Sequence, residues 1–290
     1  MQIGFIGQGF IGKNYADDFE RRGHDVIRYA LEEPYVQNKE RVKACEIVFI
    51  AVPTPTTPEG YDDSIVRVAV EVTAPGTIVV IKSTIIPGTT ESIQKQYPDR
   101  IIMHSPEFLR VTTAVHDAAH PDKNIIGIVS EEHRSQAEKV LSVLATATYS
   151  SICTAREAEY VKYANNLFLY MKVMFANIFY DLVKADGCNY EEIKKALAAD
   201  PRIGPSHLAV VHESGHQGSK PGRGAGGLCF IKDIAALRQM YEKTLPEDKN
   251  GAAVLRALEC KNIGLLLESG KDLNLLRGVY GENPKAVCAS

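Results

Sequence analysis

Residues 1–33 read "MQIGFIGQGFIGKNYADDFERRGHDVIRYALEE". The run Gln2-Ile3-Gly4-Phe5-Ile6 is a short apolar strand, and "HDVIRYA" is a second one. Between them stand Gly7-x-Gly9-x-x-Gly12 and a helix-forming stretch. In this spacing Gly7 permits a tight turn and Gly9 lets the backbone approach a pyrophosphate. Gly12 lets the helix pack close to the strand. The helix N-terminus then turns free N–H groups and a positive dipole end towards phosphate oxygens. Alone the glycine spacing is a weak signal. Placed after a strand and before a helix, it predicts a dinucleotide site.

An acid usually closes the second strand of such a site and holds the adenosine ribose. Ala30 stands there, followed by Leu31, Glu32 and Glu33. Glu32 is the available substitute. Arg28 would suit a 2′-phosphate, but two adjacent carboxylates repel one, which favours NAD over NADP.

Outward from this unit, apolar runs alternate with helical stretches. "EIVFIAVPTP" (46–55), "TIVVIKST" (77–84), "RIIMHSPEF" (100–108), "NIIGIVS" (124–130) and "TYSSICT" (148–154) read as strands. Helices are predicted near 63–74, 88–96 and 131–145, and the connection 31–45 is too short for a full one. Near-continuous Ile/Val strands between amphipathic helices predict an α/β domain, a Rossmann-like doubly wound parallel sheet covered on both faces. Ligands of such sheets sit at the carboxyl ends of the strands. Pro53-Thr54-Pro55, Ser83-Thr84 and Glu107 fall there.

Composition excludes several classes. Of 290 residues, 45% are hydrophobic and 24% charged, with net charge −3. That is globular, with no electrostatic case for nucleic acid or anionic membrane as partner. No apolar run reaches the length of about 18 residues that spans a bilayer. Six scattered cysteines (45, 153, 188, 229, 260 and 288) without a C-x-x-C read as ordinary buried thiols of a reduced protein. The opening directly on a strand predicts no targeting segment. The expectation is a soluble cytoplasmic protein.

The second half, 155–290 after a first domain 1–154, opens on "AREAEYVKYANNLFLYMKVMFANIFYDLVKADG" (155–187), a long helix ended by Gly187. At 1.5 Å per residue it approaches about 50 Å, a spine for an all-helical domain or a subunit interface. Lys162 and Asn166, four apart, share one face, which without context is a solvated polar face. "HESGH" (212–216) matches the zinc pattern H-E-x-x-H, but Ser214-Gly215 and the glycines and proline that follow break helices, so no metal is predicted. Cys229 lies between a glycine-rich turn, which allows a substrate close approach, and Lys232-Asp233. By spacing alone it reads as readily as an inert cysteine.

Taken together in order, Gly7-Gln8-Gly9-Phe10-Ile11-Gly12, "VFIAVPTP", "KSTIIPGTT", "SPEFLR", "EAEYVKYANNLFL", "DPRIGP" and "PGRGAGGLCFIKD" resemble the UDP-glucose/GDP-mannose dehydrogenase family. The likeness runs to about residue 240. It implies NAD-dependent oxidation of a nucleotide sugar's C6 alcohol to a carboxylate in two hydride transfers. Cys229 is implied as nucleophile, Lys162 and Asn166 as oxyanion donors, Asp233 as the carboxylate assisting water and proton transfer, and Thr84 and Glu107 as holders of the catalytic water. Cofactor contacts are implied for Gly7, Gly9, Phe10, Ile11, Gly12, Val52, Pro53, Thr54, Ser83, Thr84, Glu107 and Lys232. Substrate contacts are implied for Phe108, Leu109, Arg110, Lys162, Asn166, Arg202 and Gly226, and the long helix implies a homodimer, with Arg202 near the partner's site.

The chain departs from that family at several points. The third, nucleotide-gripping domain is expected to be absent. Val111 replaces a second glutamate, Ile231 a proline and Ala30 the ribose acid, and an insertion containing "HESGHQGSK" precedes the cysteine turn. Two other readings follow. One is a two-domain dehydrogenase of 3-hydroxy acids, with one hydride transfer and no thiolate. The other is a non-catalytic NAD-binding relic.

Overall fold

The computed structural model describes residues 1–288, which form two compact units. The first comprises Met1–Thr54 and Asp62–Lys162, the second Pro55–Tyr61 and Tyr163 onward. In the first unit the strands are β1 (Gln2–Ile6), β2 (Asp25–Tyr29) and β3 (Ile47–Ile50). A two-stranded hairpin, β4 (Thr56–Thr57) and β5 (Gly60–Tyr61), belongs to the second unit. The first unit resumes with β6 (Ile78–Ile81), β7 (Ile101–His104), β8 (Lys123–Ile128) and β9 (Tyr149–Thr154). Its helices are α1 (Phe10–Arg21), α2 (Lys39–Val42), α3 (Ser64–Glu71), α4 (Thr89–Gln96), α5 (Ala114–Ala119) and α6 (Arg134–Val143). A further helix, α7 (Ala155–Ala185), begins in this unit and continues into the second.

The seven strands lie in the order β2-β1-β3-β6-β7-β8-β9. Strands β3 and β6 are buried at every residue, as a sheet covered on both faces requires. Phe5, Phe19 and Phe49 meet with ring centroids 5.0–5.3 Å apart and centre one face of the core. The sheet is mostly parallel, not wholly so as the Ile/Val runs predict. Strand β8 runs antiparallel to β7, pairing Met103 with Ile128, and β9 is parallel to β8. The reason lies in 105–122. That connection contains only the six-residue α5, so it lacks a crossover helix of the kind that joins parallel neighbours.

The second unit is helical. Beside the rest of α7 it holds α8 (Tyr190–Ala199), α9 (Gly227–Thr244), α10 (Lys249–Ser269) and α11 (Leu273–Tyr280). Apolar clusters hold it, among them two around α9 and α10. Tyr170, Val173, Met174, Ala225, Ile234, Leu255 and Leu265 form one, and Ile231, Ala235, Ile263, Leu266, Leu276 and Val279 the other. Among the polar links, buried Glu259 on α10 accepts from Arg238 on α9 and from the Tyr280 hydroxyl on α11. None of the described helices is long and apolar enough to cross a membrane.

The cysteines correct the picture of six ordinary buried thiols. Cys260 and Cys288 form a disulfide, Cys188 and Cys229 are exposed, and of the rest only Cys45 is buried. A link across 28 residues removes unfolded-chain entropy worth roughly 3–4 kcal/mol in the loop-closure account.

Candidate active site

In the first unit the glycine turn is explained by what surrounds it. Gly7 has φ +91°, and a Cβ there would lie 2.3 Å from the Ala51 carbonyl oxygen. A Cβ on Gly12 would lie 1.9 Å from the Gly7 carbonyl oxygen, so neither position accepts a side chain. Gly9 differs, because a Cβ there would meet nothing within 4 Å. It is the N-cap of α1 with extended ψ and no side-chain cap, so the first N–H groups of the helix face open space. That is a cradle for an anion, and a pyrophosphate fits it. Exposed Phe10 and half-buried Ile11 open the helix.

The carboxyl ends of β3 and β6 are laced together. Ser83 Oγ accepts from Val52 N–H (2.9 Å) and donates to the Val52 carbonyl (2.7 Å), and Thr54 Oγ1 donates to the Thr84 carbonyl at 2.7 Å. Thr54, Ser83 and Thr84 are buried, and Pro53 is exposed beside them. Arg28 is engaged elsewhere. It pairs with Asp17 and Glu20 on α1, each at 2.7 Å, which leaves a 2′-phosphate no unengaged guanidinium there.

Past β7, Glu107 and Lys162 form a buried pair, each side chain 5% exposed, at 2.7 Å. The Lys162 ammonium also donates to the Glu107 main-chain oxygen at 2.7 Å, and Glu107 Oε2 accepts Leu109 N–H at 2.8 Å. Phe108 places its ring 5.6 Å from Lys162 Nζ and 4.0 Å from Lys123 Nζ. Arg110 is tied to Asp117, whose carboxyl is thereby held well below the usual range. The start of α7 is anchored by buried Glu159, which accepts Gly88 N–H, Thr90 N–H and the Thr90 hydroxyl at 2.6–2.8 Å. Lys162 stands one turn further on, so that anchor helps place it.

Two buried groups here escaped the sequence reading. Lys82, just past β6, lies 4.2 Å from the Tyr15 ring centroid and donates to Ser105, and burial pushes its ammonium down to about 7. His104 at the end of β7 is fully buried, and burial with Lys82 nearby pushes its imidazole down to about 3, so it stays neutral. A lysine ending an all-Ile/Val run was the available signal.

In the second unit α9 starts at Gly227, which puts Cys229 in its first turn rather than in a loop. A helix N-terminus favours a thiolate. Asp233 lies one turn below on the same face, since i and i+4 align. Its buried carboxylate accepts Asn166 Nδ2 at 2.6 Å and Lys232 Nζ at 2.6 Å. Asn166, Lys232 and Asp233 are thus gathered, and Cys229 stands exposed one helical turn before Asp233. Arg202 is not among them. It sits on an exposed turn, side chain 87% exposed, paired to Asp200 at 2.6 Å. Residues 212–216 form no helix. His212 Nδ1 lies 3.1 Å from the Ala209 oxygen, and His216 Nε2 is 2.8 Å from Asp272. Among the described residues no His, Cys, Asp or Glu cluster is arranged to hold a metal.

Two models of one family match this chain. The UDP-glucose/GDP-mannose dehydrogenase family's NAD binding domain matches residues 33–145, and its central domain residues 156–259. The chain belongs to the UDP-glucose/GDP-mannose dehydrogenase family. YtcA of Bacillus subtilis is 34% identical over 279 residues, 82% of this chain and 63% of that protein. The UDP-glucose 6-dehydrogenase of Rickettsia bellii is 29% identical over 342 residues, covering 100% of this chain and 76% of that one. A solved UDP-glucose dehydrogenase from the archaeon Pyrobaculum islandicum superposes with TM-score 0.73 at 26% identity, over 92% of this chain and 70% of that one. This family member therefore spans under two thirds of the length of YtcA. Its first unit carries the family's NAD-binding domain, matched from residue 33, just after the glycine turn and β2.

Proposed function

We propose that this chain oxidises the C6 primary alcohol of a nucleotide sugar to a carboxylate, with NAD as acceptor and Cys229 as covalent nucleophile. The observation that carries the proposal is Cys229 in the first turn of α9, one turn above an Asp233 held by Asn166 and Lys232. NAD, which the Gly7–Gly12 turn and the 52–54 and 83–84 segments would hold twice in succession, would supply the two-electron acceptor for each of the two oxidations, alcohol to C6 aldehyde and thiohemiacetal to thioester. The chain's own residues do the rest. The Cys229 thiolate adds to the C6 aldehyde carbon, and the carbonyl oxygen becomes an oxyanion. The Lys162 ammonium and the Asn166 amide donate hydrogen bonds to it. Oxidation of this thiohemiacetal leaves a thioester on Cys229. Glu107 or Asp233 takes a proton from the attacking water, the C–S bond breaks, and the thiolate is restored with the carboxylate product. Thr84 orients that water, Phe108, Leu109 and Arg110 bound the substrate, and Arg202 reaches the site of the partner subunit in the proposed homodimer.

The test is a screen with UDP-glucose, UDP-N-acetylhexosamines and GDP-mannose. The expected result is two NADH formed for each carboxylate with at least one of them. A single NADH with a ketone product would instead mark a 3-hydroxyacid-type enzyme.

The proposal extends to a homodimer through α7. Phe168, Met171, Phe175, Ile178 and Leu182 are exposed and recur at alternating steps of three and four, a seam that a second copy covers. Sedimentation should give a dimer at micromolar concentration, and Phe175→Glu a monomer. A monomeric parent chain contradicts this. Within a cell, the proposed place is the cytoplasm.

A further inference from the structure

The turn that delivers Cys229 has a mould. Residues 222–227, "GRGAGG", have backbone groups taken one after another by side chains from the second half of α10 and from Lys271 and Asp272 beyond it. Lys271, fully buried, donates from Nζ to the carbonyl oxygens of Gly222 (3.4 Å) and Gly224 (3.0 Å). Ser269 Oγ accepts Arg223 N–H at 3.1 Å and lies 3.3 Å from its carbonyl oxygen. Asn262, 2% exposed, accepts Ala225 N–H at 2.7 Å and donates to the Ala225 carbonyl at 2.9 Å, the two-way pairing a strand would make. Asp272, with φ +53°, accepts Gly227 N–H at 2.7 Å, the first N–H of α9.

The same contacts explain why alternate residues of the turn are glycine. A Cβ on Gly222 would lie 2.7 Å from Lys271 Cβ, and on Gly224 2.9 Å from Asn262 Oδ1. On Gly226 it would lie 2.1 Å from Asp272 Oδ2. The close approach that these glycines permit is made by the chain's own side chains. The insertion before the turn is fastened at the same point. Ser214 Oγ donates to Asp272 at 2.5 Å, and His216 Nε2 lies 2.8 Å from its other oxygen.

We propose that Asn262, Lys271 and Asp272 are positioning residues that hold the 222–227 turn and so aim the Cys229 thiol. All three lie past residue 259, where the match to the central-domain model ends. The fastening is local and specific. A buried ammonium shared by two carbonyls and a carboxylate on a helix-start N–H are charge-assisted bonds, about twice as strong as neutral ones. For its catalytic consequence the inference rests on the proposed role of Cys229. Its structural part does not.

The experiment compares Asp272→Ala, Asp272→Asn and Lys271→Met with the full-length parent chain. Asp272→Asn keeps an oxygen for Gly227 N–H, whereas Asp272→Ala and Lys271→Met remove their contacts. Amide hydrogen exchange over 222–229 should rise roughly tenfold or more in Asp272→Ala and Lys271→Met. In Asp272→Asn it should stay near parent, with exchange along α7 and NAD affinity unchanged in all three. On a substrate found by the screen, kcat should fall at least tenfold in the two disruptive variants and recover in Asp272→Asn, with little change in KM. Should Lys271→Met be recovered unfolded, the Asp272 pair decides by the same readouts. Unchanged exchange at 222–229, or a rise of equal size along the whole chain, overturns the proposal. Local exchange that rises in a chain oxidising no nucleotide sugar upholds the mould and rejects only the dehydrogenase reading.

Discussion

Cys229→Ser is expected to lower carboxylate formation by roughly 10³-fold or more, because a serine hydroxyl without its own base is a far weaker nucleophile at neutral pH. Because Cys229 is exposed and outside the disulfide, the variant should fold normally, with stability within about 0.5 kcal/mol of parent. NAD affinity should stay within about twofold, since Cys229 is not among the residues proposed to hold NAD. This pattern separates the covalent route from the single-transfer alternative. An enzyme that removes one hydride from a secondary alcohol has no use for the thiol, and its Cys229→Ser variant would turn over at the parent rate.

The second large effect concerns Glu107 and Lys162. Both side chains are 5% exposed, and removing one partner of a buried pair leaves the other's charge without its main compensation. Such truncations cost about 3–5 kcal/mol, and a fall of several degrees in Tm is expected for Glu107→Ala. Glu107→Gln keeps the shape and one of the two oxygen acceptors, serving the lysine or Leu109 N–H but not both, so its stability loss should be smaller than that of Glu107→Ala. Activity should not follow stability. If Glu107 is the base for thioester hydrolysis, Glu107→Gln loses roughly 10²–10⁴-fold in turnover while remaining folded. The double variant Glu107→Ala/Lys162→Met should be more stable than the sum of the two single losses predicts, because it leaves neither charge buried alone. Strictly additive losses would mean that the two groups do not stabilise each other.

These cases show what could be read from the chain before its structure. Gly7, Gly9 and Gly12 were legible because their reasons are local. A strand, a turn and a helix follow within a few residues, and the clash at Gly12 is with Gly7 itself, although the one at Gly7 is with the sequence-distant Ala51. The buried strands β3 and β6 were legible as unbroken Ile/Val runs. Reversal of β8 was not, since strand direction depends on how 105–122 crosses the sheet end, which no periodicity records. Residues 56–61 likewise gave no cue that they form a hairpin belonging to the helical unit.

At the site, residue types were legible and partnerships were not. The resemblance pointed to Glu107, Lys162, Asn166 and Asp233. The pairing of Glu107 with Lys162 spans 55 positions and that of Asn166 with Asp233 spans 67, separations over which spacing says nothing. The glycines before Cys229 read as clearance for a substrate, yet the groups that come close are Asn262, Lys271 and Asp272. Nothing in "KDLN" (271–274) announces a buried ammonium, because a lysine is ordinarily at the surface. The disulfide escaped for a related reason. Cys260 and Cys288 become neighbours only after α10 and the last turns have packed.

The most direct measurement is the mass of the Cys229 peptide after acid quench during turnover with NAD and a nucleotide sugar. Acid preserves a thioester, so the account predicts a fraction of that peptide heavier by one oxidised sugar nucleotide, absent without NAD and absent in Cys229→Ser. A Cys229 peptide of unmodified mass throughout, in a chain still releasing carboxylate at the same rate after Cys229→Ser, would contradict it.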